Sequence, residues 1–331
     1  MEINKADVAE LVDARDLKSL DGNVVRVRVP PPAPRMGSVK TRIGGTTGAN
    51  DTPNSIFQRL VPALADVPGV NAIVLGGSRA RGTATENSDY DLGLYYSAAK
   101  QLDTDRLLEA VRDLVDEPGA AAVTPVGEWG PWIVGGAWLS IAGRKVDLLY
   151  RNSDEVARVV HSCRAGLITM DYQPGHPYGF CSAIWMGEVA LCRPVHDPRG
   201  AIAELKKLTS PYPEPLRDAL IRRFQWEVLF SIENGEIAAA RDEQTHIAGC
   251  TYRALACAGQ VLFALNGRYL INEKAALQEA AKFPLTVPNL MERVTSVWQL
   301  TGREEFSAAF AMLRTIDHEL KVLTSKIADR L

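Results

Sequence analysis

Ile73-Val74-Leu75-Gly76-Gly77-Ser78-Arg79-Ala80-Arg81-Gly82-Thr83-Ala84-Thr85-Glu86-Asn87-Ser88-Asp89-Tyr90-Asp91-Leu92 is the stretch on which the reading of this chain turns. Ile73 to Leu75 form an apolar run with the character of a buried strand. The run breaks at Gly76-Gly77-Ser78, where the backbone can turn tightly and approach an anion closely. Ten residues separate Ser78 from Asp89, and Asp91 follows two positions later, ahead of the apolar Leu92, Leu94 and Tyr95. Residues i and i+2 of a strand share a face, so Asp89 and Asp91 project together beside the glycine turn. Two such carboxylates either lie solvated on an edge strand or repel each other until a cation sits between them. Oxygen ligands of this kind suit Mg²⁺, which arrives with substrate phosphates. A phosphate-cradling turn beside a divalent-metal site is equipment for phosphoryl or nucleotidyl transfer.

The segment resembles the signature of the DNA polymerase β-like nucleotidyltransferase superfamily: an apolar residue, Gly-Gly/Ser, a gap of about ten residues, then Asp-x-Asp. Leu75, Gly77, Ser78, Asp89 and Asp91 match it, with Tyr90 between the acids. The wording Gly-Ser-Arg-Ala-Arg-Gly-Thr-Ala is most similar to minimal nucleotidyltransferases and antibiotic-modifying relatives. The resemblance implies a third carboxylate on a neighbouring strand. Val146-Asp147-Leu148-Leu149-Tyr150 carries one acid in an apolar strand, after a β-rich stretch (132–141) and a hairpin-like Ala142-Gly143-Arg144-Lys145. A carboxylate there is costly to bury without a partner. The partner is either a metal shared with Asp89 and Asp91 or a cation of the hairpin, Arg144 or Lys145.

The implied enzyme is a metal-dependent nucleotidyltransferase. Two Mg²⁺ ions on Asp89, Asp91 and Asp147 would grip an NTP, with ATP as the expected donor. Asp147 is also the candidate general base for the acceptor hydroxyl. Gly77 and Ser78 are expected to donate to the β- and γ-phosphates, and Arg79 or, foremost, Arg81 to reach a phosphate.

Composition narrows the class. The chain has 331 residues, 46% of them apolar, a net charge of −3 and a pI near 6.0. No extended basic groove for nucleic acid is evident. No continuous run approaches the length of a membrane span, so no membrane is expected. Five scattered cysteines without a Cys-x-x-Cys pair point to reduced thiols and a cytoplasmic location.

The first 35 residues resemble an accidental translation of a tRNA gene. Arg26-Val27-Arg28-Val29-Pro30 can be written CGG-GTT-CGA-GTC-CCG, a stem closing the loop TTCGAGT, as in a T-arm. The expected start is therefore near Met36, and residues 1–52 are read as a disordered or mis-annotated leader, the alternative being a genuine Pro-rich leader.

The fold expected is α+β: a mixed-sheet, polymerase β palm-like nucleotidyltransferase domain over 53–200, then an all-α helical bundle over 201–331. Helices are expected over about 54–66, 103–116, 154–165, 201–208, 216–240, 245–266, 288–300 and 303–328, and strands over 72–76, 90–96, 121–126, 132–141 and 146–151. The order is similar to that of kanamycin-type nucleotidyltransferases and of minimal nucleotidyltransferases with helical partner domains. In such relatives the helical part closes the cleft and supplies a basic residue to the triphosphate; Lys274, in Arg268-Tyr269-Leu270-Ile271-Asn272-Glu273-Lys274, is the candidate. Open-cleft relatives often dimerise, which makes a homodimer an expectation here. The irregular 171–180 loop, with His176, is a candidate binding element. The tryptophans are core or pocket wall. Glu227, Glu233 and Glu236 would serve either as an acidic wall or as a solvated face. The acceptor expected is a small molecule such as an aminoglycoside-like antibiotic. The alternatives are a protein or RNA acceptor of toxin–antitoxin type and a non-catalytic nucleotide- or partner-binding module.

Overall fold

The computed structural model describes residues 53–117 and 119–328. The leader expected over 1–52, its tRNA-like stretch included, lies outside them.

Helix α1 (Pro53–Ala65) buries Ile56, Leu60 and Leu64, one turn apart on one face. Strand β1 (Ala72–Leu75) follows. Where the glycine turn was expected, the chain enters a short helix, α2 (Gly77–Arg81), and then β2 (Tyr90–Tyr96). In α3 (Thr104–Arg112) the Asp103 carboxylate accepts the Arg106 N–H as an N-cap, and Leu107 and Val111 face the core. Strands β3 (Ala122–Val123) and β4 (Gly136–Ile141) are shorter than the sequence pattern suggested. Gly127, Gly130 and Gly135 between them take positive φ, which a continuous strand does not. β5 (Arg144–Asn152) pairs with β4 through a hairpin whose turn residues Ala142 and Gly143 both have positive φ, 51° and 69°, matching the right-handed strand twist. Asn152 then caps α4 (Ser153–Arg164), accepting from the Asp154 and Glu155 N–H groups.

Between α4 and residue 201 four elements escaped the sequence pattern: β6 (Met170–Asp171), β7 (Phe180–Cys181), α5 (Ala183–Leu191) and β8 (Arg193–His196). Helix α5 is apolar nearly all round, with Ile184, Trp185, Met186 and Val189 all buried. A helix packed on every side has no amphipathic period to detect.

The main sheet runs β3-β4-β5-β2-β1-β8, with β2 and β5 parallel and every other pair antiparallel. Alternation sorts its two faces. Ile73, Leu75, Tyr90, Leu92, Leu94, Val146, Leu148, Leu139 and Ile141 form one apolar cluster with α1 and α3. The opposite face, carrying Val74 and Tyr95, joins a second cluster that continues through Trp185 and Met186 into the helices.

Those helices are α6 (Ala201–Leu208), α7 (Glu214–Ala239), α8 (Gln244–Leu265), α9 (Ala276–Ala280), α10 (Leu290–Gly302) and α11 (Phe306–Ala328). Against the expectation of no span-like run, α8 is long and apolar enough to cross a membrane by length and composition alone. Its Ala254, Cys257, Ala258, Val261 and Leu262 are buried, and small residues there let α7 pack close. Gly235 of α7 marks the tightest point: a Cβ there would lie 2.2 Å from the Phe310 ring of α11 and 3.1 Å from Cys250 of α8. Gly235→Val should therefore destabilise the fold by about 1–3 kcal/mol through overpacking, seen as a lower urea midpoint at unchanged slope.

Candidate active site

The glycine turn is tied to the acidic strand through the backbone. The Gly76 N–H donates to the Asp91 carbonyl at 2.7 Å. Gly77 has φ +59°, and a Cβ there would lie 1.8 Å from Asp91 Oδ2. The Asp91 carboxylate thus lies against bare turn backbone, a place open only to glycine. Ser78 is half-buried at the start of α2, and its carbonyl accepts the Thr83 N–H at 3.0 Å.

The parallel pairing of β2 with β5 sets Asp91 directly opposite Asp147. Asp91, Gly93 and Tyr95 share one parity on β2, and Asp147, Leu149 and Arg151 share it on β5. Asp91 and Asp147 are therefore half-buried neighbours on one sheet face, and Asp89, just ahead of β2, is exposed at the strand mouth with its charge acting on both. Burial, then the Asp89 charge, raises Asp91, against the opposing pull of Lys274 and Arg81. Burial, then the Asp91 and Asp89 charges, pushes Asp147 up to about 6. Of the alternative partners for Asp147, Arg144 is engaged elsewhere, donating to the Glu86 carbonyl at 2.6 Å and to the Glu86 carboxylate at 3.2 Å, and Lys145 acts on Asp147 only through its charge.

Among the described residues, no three His, Cys, Asp or Glu side chains stand as a ready-made metal cage. The donor chemistry still fits a hard cation. Two half-buried carboxylates at facing positions, with a third beside them, disfavour their own ionisation, and a divalent ion removes that penalty. Asp89, Asp91 and Asp147 are the residues that could hold it.

Arg79 does not point at this site. Its guanidinium donates to the Ser88 carbonyl at 2.5 and 3.1 Å and to the Asp89 carbonyl at 3.1 Å, and it covers the Tyr90 ring at 3.8 Å. It fixes the loop that delivers Asp89. Arg81 is exposed, 3.9 Å from Glu279 of α9, and within electrostatic reach of Asp91. Lys274 comes from the loop between α8 and α9 and lines the same cavity of about 260 Å³ as Gly76, Gly77 and Asp91.

That cavity shows residues the sequence reading missed. Arg151 is 3% exposed and forms a two-pronged ion pair with Glu188 of α5, both contacts 2.9 Å. Position gave a signal for Arg151, four residues beyond Asp147 on the same face; Glu188 was hidden in the untracked α5. His176 also lines the cavity, and its Nδ1 is buried with no hydrogen-bond partner among the described residues. Of the three acids offered as a wall or a solvated face, Glu227 is buried between Arg223 and Arg253, Glu236 is paired with Arg314, and Glu233 is exposed.

The family model of the nucleotidyltransferase domain matches residues 57–165, which include the glycine turn and all three acids. The chain carries a nucleotidyltransferase domain. A search of curated proteins finds no match. Among solved structures, the chain is similar to a nucleotidyltransferase-like protein from Exiguobacterium sibiricum, with 13% identity over 81% of this chain and 73% of that one, at a TM-score of 0.39.

The carboxylate repulsion in this domain has a stability consequence. A folded-state pKa raised above the unfolded value means that the stability present below about 3.8 is lost as pH rises through about 6, and above that the folded protein carries the full cost of ionisation. At pH 8, metal-free Asp147→Asn should therefore melt at a higher temperature than wild type. MgCl₂ should raise the wild-type midpoint and leave an Asp89→Asn, Asp91→Asn double variant unmoved. Thermal melts with and without EDTA check both.

Proposed function

We propose that this nucleotidyltransferase moves a nucleoside monophosphate from an NTP, ATP first, to a hydroxyl of a small molecule, with Mg²⁺ held by Asp89, Asp91 and Asp147. The observation that carries the reading is the facing of Asp91 and Asp147 on paired strands, one residue contact from the Gly77 backbone and within reach of the Lys274 charge.

The acceptor O–H gives up its proton, its oxygen bonds the α-phosphorus, and the bond from that phosphorus to the bridging oxygen breaks. Pyrophosphate leaves with the bonding electron pair. Such chemistry is mostly positioning and charge compensation. When bound, the metal supplies neutralisation of the triphosphate and of the departing pyrophosphate. Asp147 is placed to take the hydroxyl proton. The turn backbone at Gly77 and Ser78 holds the β- and γ-phosphates, and Lys274 and Arg81 add positive charge on that side. Arg151 and Glu188 neutralise each other and form the floor of the cleft.

A small-molecule acceptor is supported by the half-open cavity of about 260 Å³ and by the acidic balance of the chain. Aminoglycoside-like antibiotics are the first acceptors to try, although the acids Glu227 and Glu236 that would have attracted them are already paired.

Pyrophosphate release from ATP, GTP, CTP and UTP should require Mg²⁺ together with an acceptor drawn from hydroxylated antibiotics or cell extract. The Asp89→Asn, Asp91→Asn protein should show none, and Asp147→Asn should lose about 10²–10⁴-fold in turnover as a missing general base. Nucleotide binding without pyrophosphate from any acceptor would instead establish a binding module.

A further inference from the structure

Trp138 stands beside the acids on the same sheet face. β4 pairs antiparallel with β5, and Trp138 is directly opposite Asp147. Its neighbours Ala137 and Leu139 point into the core beneath, so Trp138 projects on the face of Asp147. It is 44% exposed, and its ring stacks on that of Trp129, centroids 4.3 Å apart and planes 21° apart.

The stack is built in advance of any ligand. Gln173 is 1% exposed; its Oε1 accepts the Trp132 and Ile133 N–H groups at 3.1 and 3.2 Å, and its Nε2 donates to the Trp129 carbonyl at 3.1 Å. The loop carrying Trp129 is thereby pinned from within. Gly136 lies beneath the ring: a Cβ there would be in ordinary contact with Trp129 Cη2 at 3.4 Å, and it is the Leu148 carbonyl, 2.2 Å away, that closes the position to other residues. A fixed indole pair, Trp138 exposed and Trp129 half-buried behind it, standing directly opposite an acid on the paired strand, marks a contact surface.

Strand order gives the direction. Along the sheet stand Trp138 on β4, Asp147 on β5, Asp91 on β2, and the glycine turn after β1. Attacking and leaving oxygens lie roughly in line across the transferred phosphorus. With the pyrophosphate at the Gly77 turn, the attacking hydroxyl enters from the β5–β4 side. Strands are about 4.8 Å apart, so the Trp138 ring lies about one ring's width from a hydroxyl at Asp147.

We infer that Trp138, backed by Trp129, is the acceptor platform, and that the acceptor is a small molecule carrying a six-membered ring next to its reacting hydroxyl, one face of that ring laid against the indole. This rests on the transfer reading above. The hydroxyl proton, the new oxygen–phosphorus bond and the departing pyrophosphate balance as already written; the platform only positions the oxygen. A protonated amine on the ring would add attraction to the indole face, whereas an uncharged aromatic ring would bind by stacking alone.

The test is calorimetric titration of the full chain, with Mg²⁺ and a non-hydrolysable ATP analogue present, using 2-deoxystreptamine, the uncharged 4-hydroxybenzyl alcohol and sorbitol as probes. At least one of the two ring probes should bind and the linear polyol should not, and which ring binds tells the cationic cyclitol from the aromatic. Trp138→Ala should weaken the ring probe about tenfold or more, and Trp138→Phe should restore most of it, with affinity for the ATP analogue unchanged in both. The platform is overturned if Trp138→Ala leaves ring binding intact, if it weakens the ATP analogue instead, if sorbitol binds as well as the rings, or if neither ring probe binds. Failure of the wild-type chain to bind the ATP analogue with Mg²⁺ at all would sink the transfer reading itself, a result distinct from each of these.

Discussion

Like charge held at close quarters is the constraint around which this protein is arranged. A parallel register sets Asp91 against Asp147 on a half-buried face, and Asp89 joins them from the strand mouth. Nothing in apolar packing favours that grouping; burial and mutual repulsion both raise Asp91 and Asp147 above the usual carboxylate range. The rest of the fold has to hold the three acids together in spite of it. The opposite face of the same strands does so, with Leu92, Leu94, Val146 and Leu148 fully buried beneath α1 and α3. The site is strained electrostatically and anchored hydrophobically, the usual trade between activity and stability.

Arginines do the fixing, each in a way that leaves the acids free. Arg79 spends its donors on main-chain carbonyls of the loop before β2, so it places Asp89 without pairing with any carboxylate. Arg144 reaches the same loop from β5, donating to the Glu86 carbonyl and pairing with the Glu86 carboxylate rather than with the site acids. Arg151, at the inner end of the acidic face, is matched by Glu188, so its charge is cancelled locally. Had any of these guanidiniums paired with Asp91 or Asp147, the carboxylates would have had a protein partner and less need of a cation.

Much of this was legible in the sequence. The turn, the Asp-x-Asp pair and the alternation of β2 and β5 follow from local pattern, and local pattern is what a strand obeys. Asp147 was found because an acid in an apolar strand demands a partner. Helix α5 was not found, because it is surrounded and has no polar side to give it a period. Glu188 and its pairing with Arg151 vanished with it. The role of Arg79 was misjudged for another reason: whether a guanidinium after a glycine turn meets a phosphate or a carbonyl depends on the path of the loop over 82–89, which local pattern does not determine. The pairing of Glu227 was hidden similarly, since Arg253 lies 26 residues from Glu227 in sequence and meets it only through the packing of α8 on α7.

Lys274 shows how a helical region can serve a sheet-borne site. Its own segment has no regular structure, yet both ends are held. Behind it, Tyr269 donates its hydroxyl to the Thr209 carbonyl at 2.7 Å, and Asn266 both donates to and accepts from Leu285. At the tip, the Lys274 N–H bonds the Asn272 side chain at 3.0 Å. A long flexible lysine placed by chance would contribute little, because its rotamer entropy opposes any one position. Fixing the backbone on which it rides removes part of that cost before a triphosphate arrives. The same logic applies to Trp129, whose loop Gln173 holds from inside. The cleft thus has rigid backbone on both flanks of the acids, cationic toward the turn and aromatic toward β4, and that asymmetry suits two unlike substrates meeting over one phosphorus.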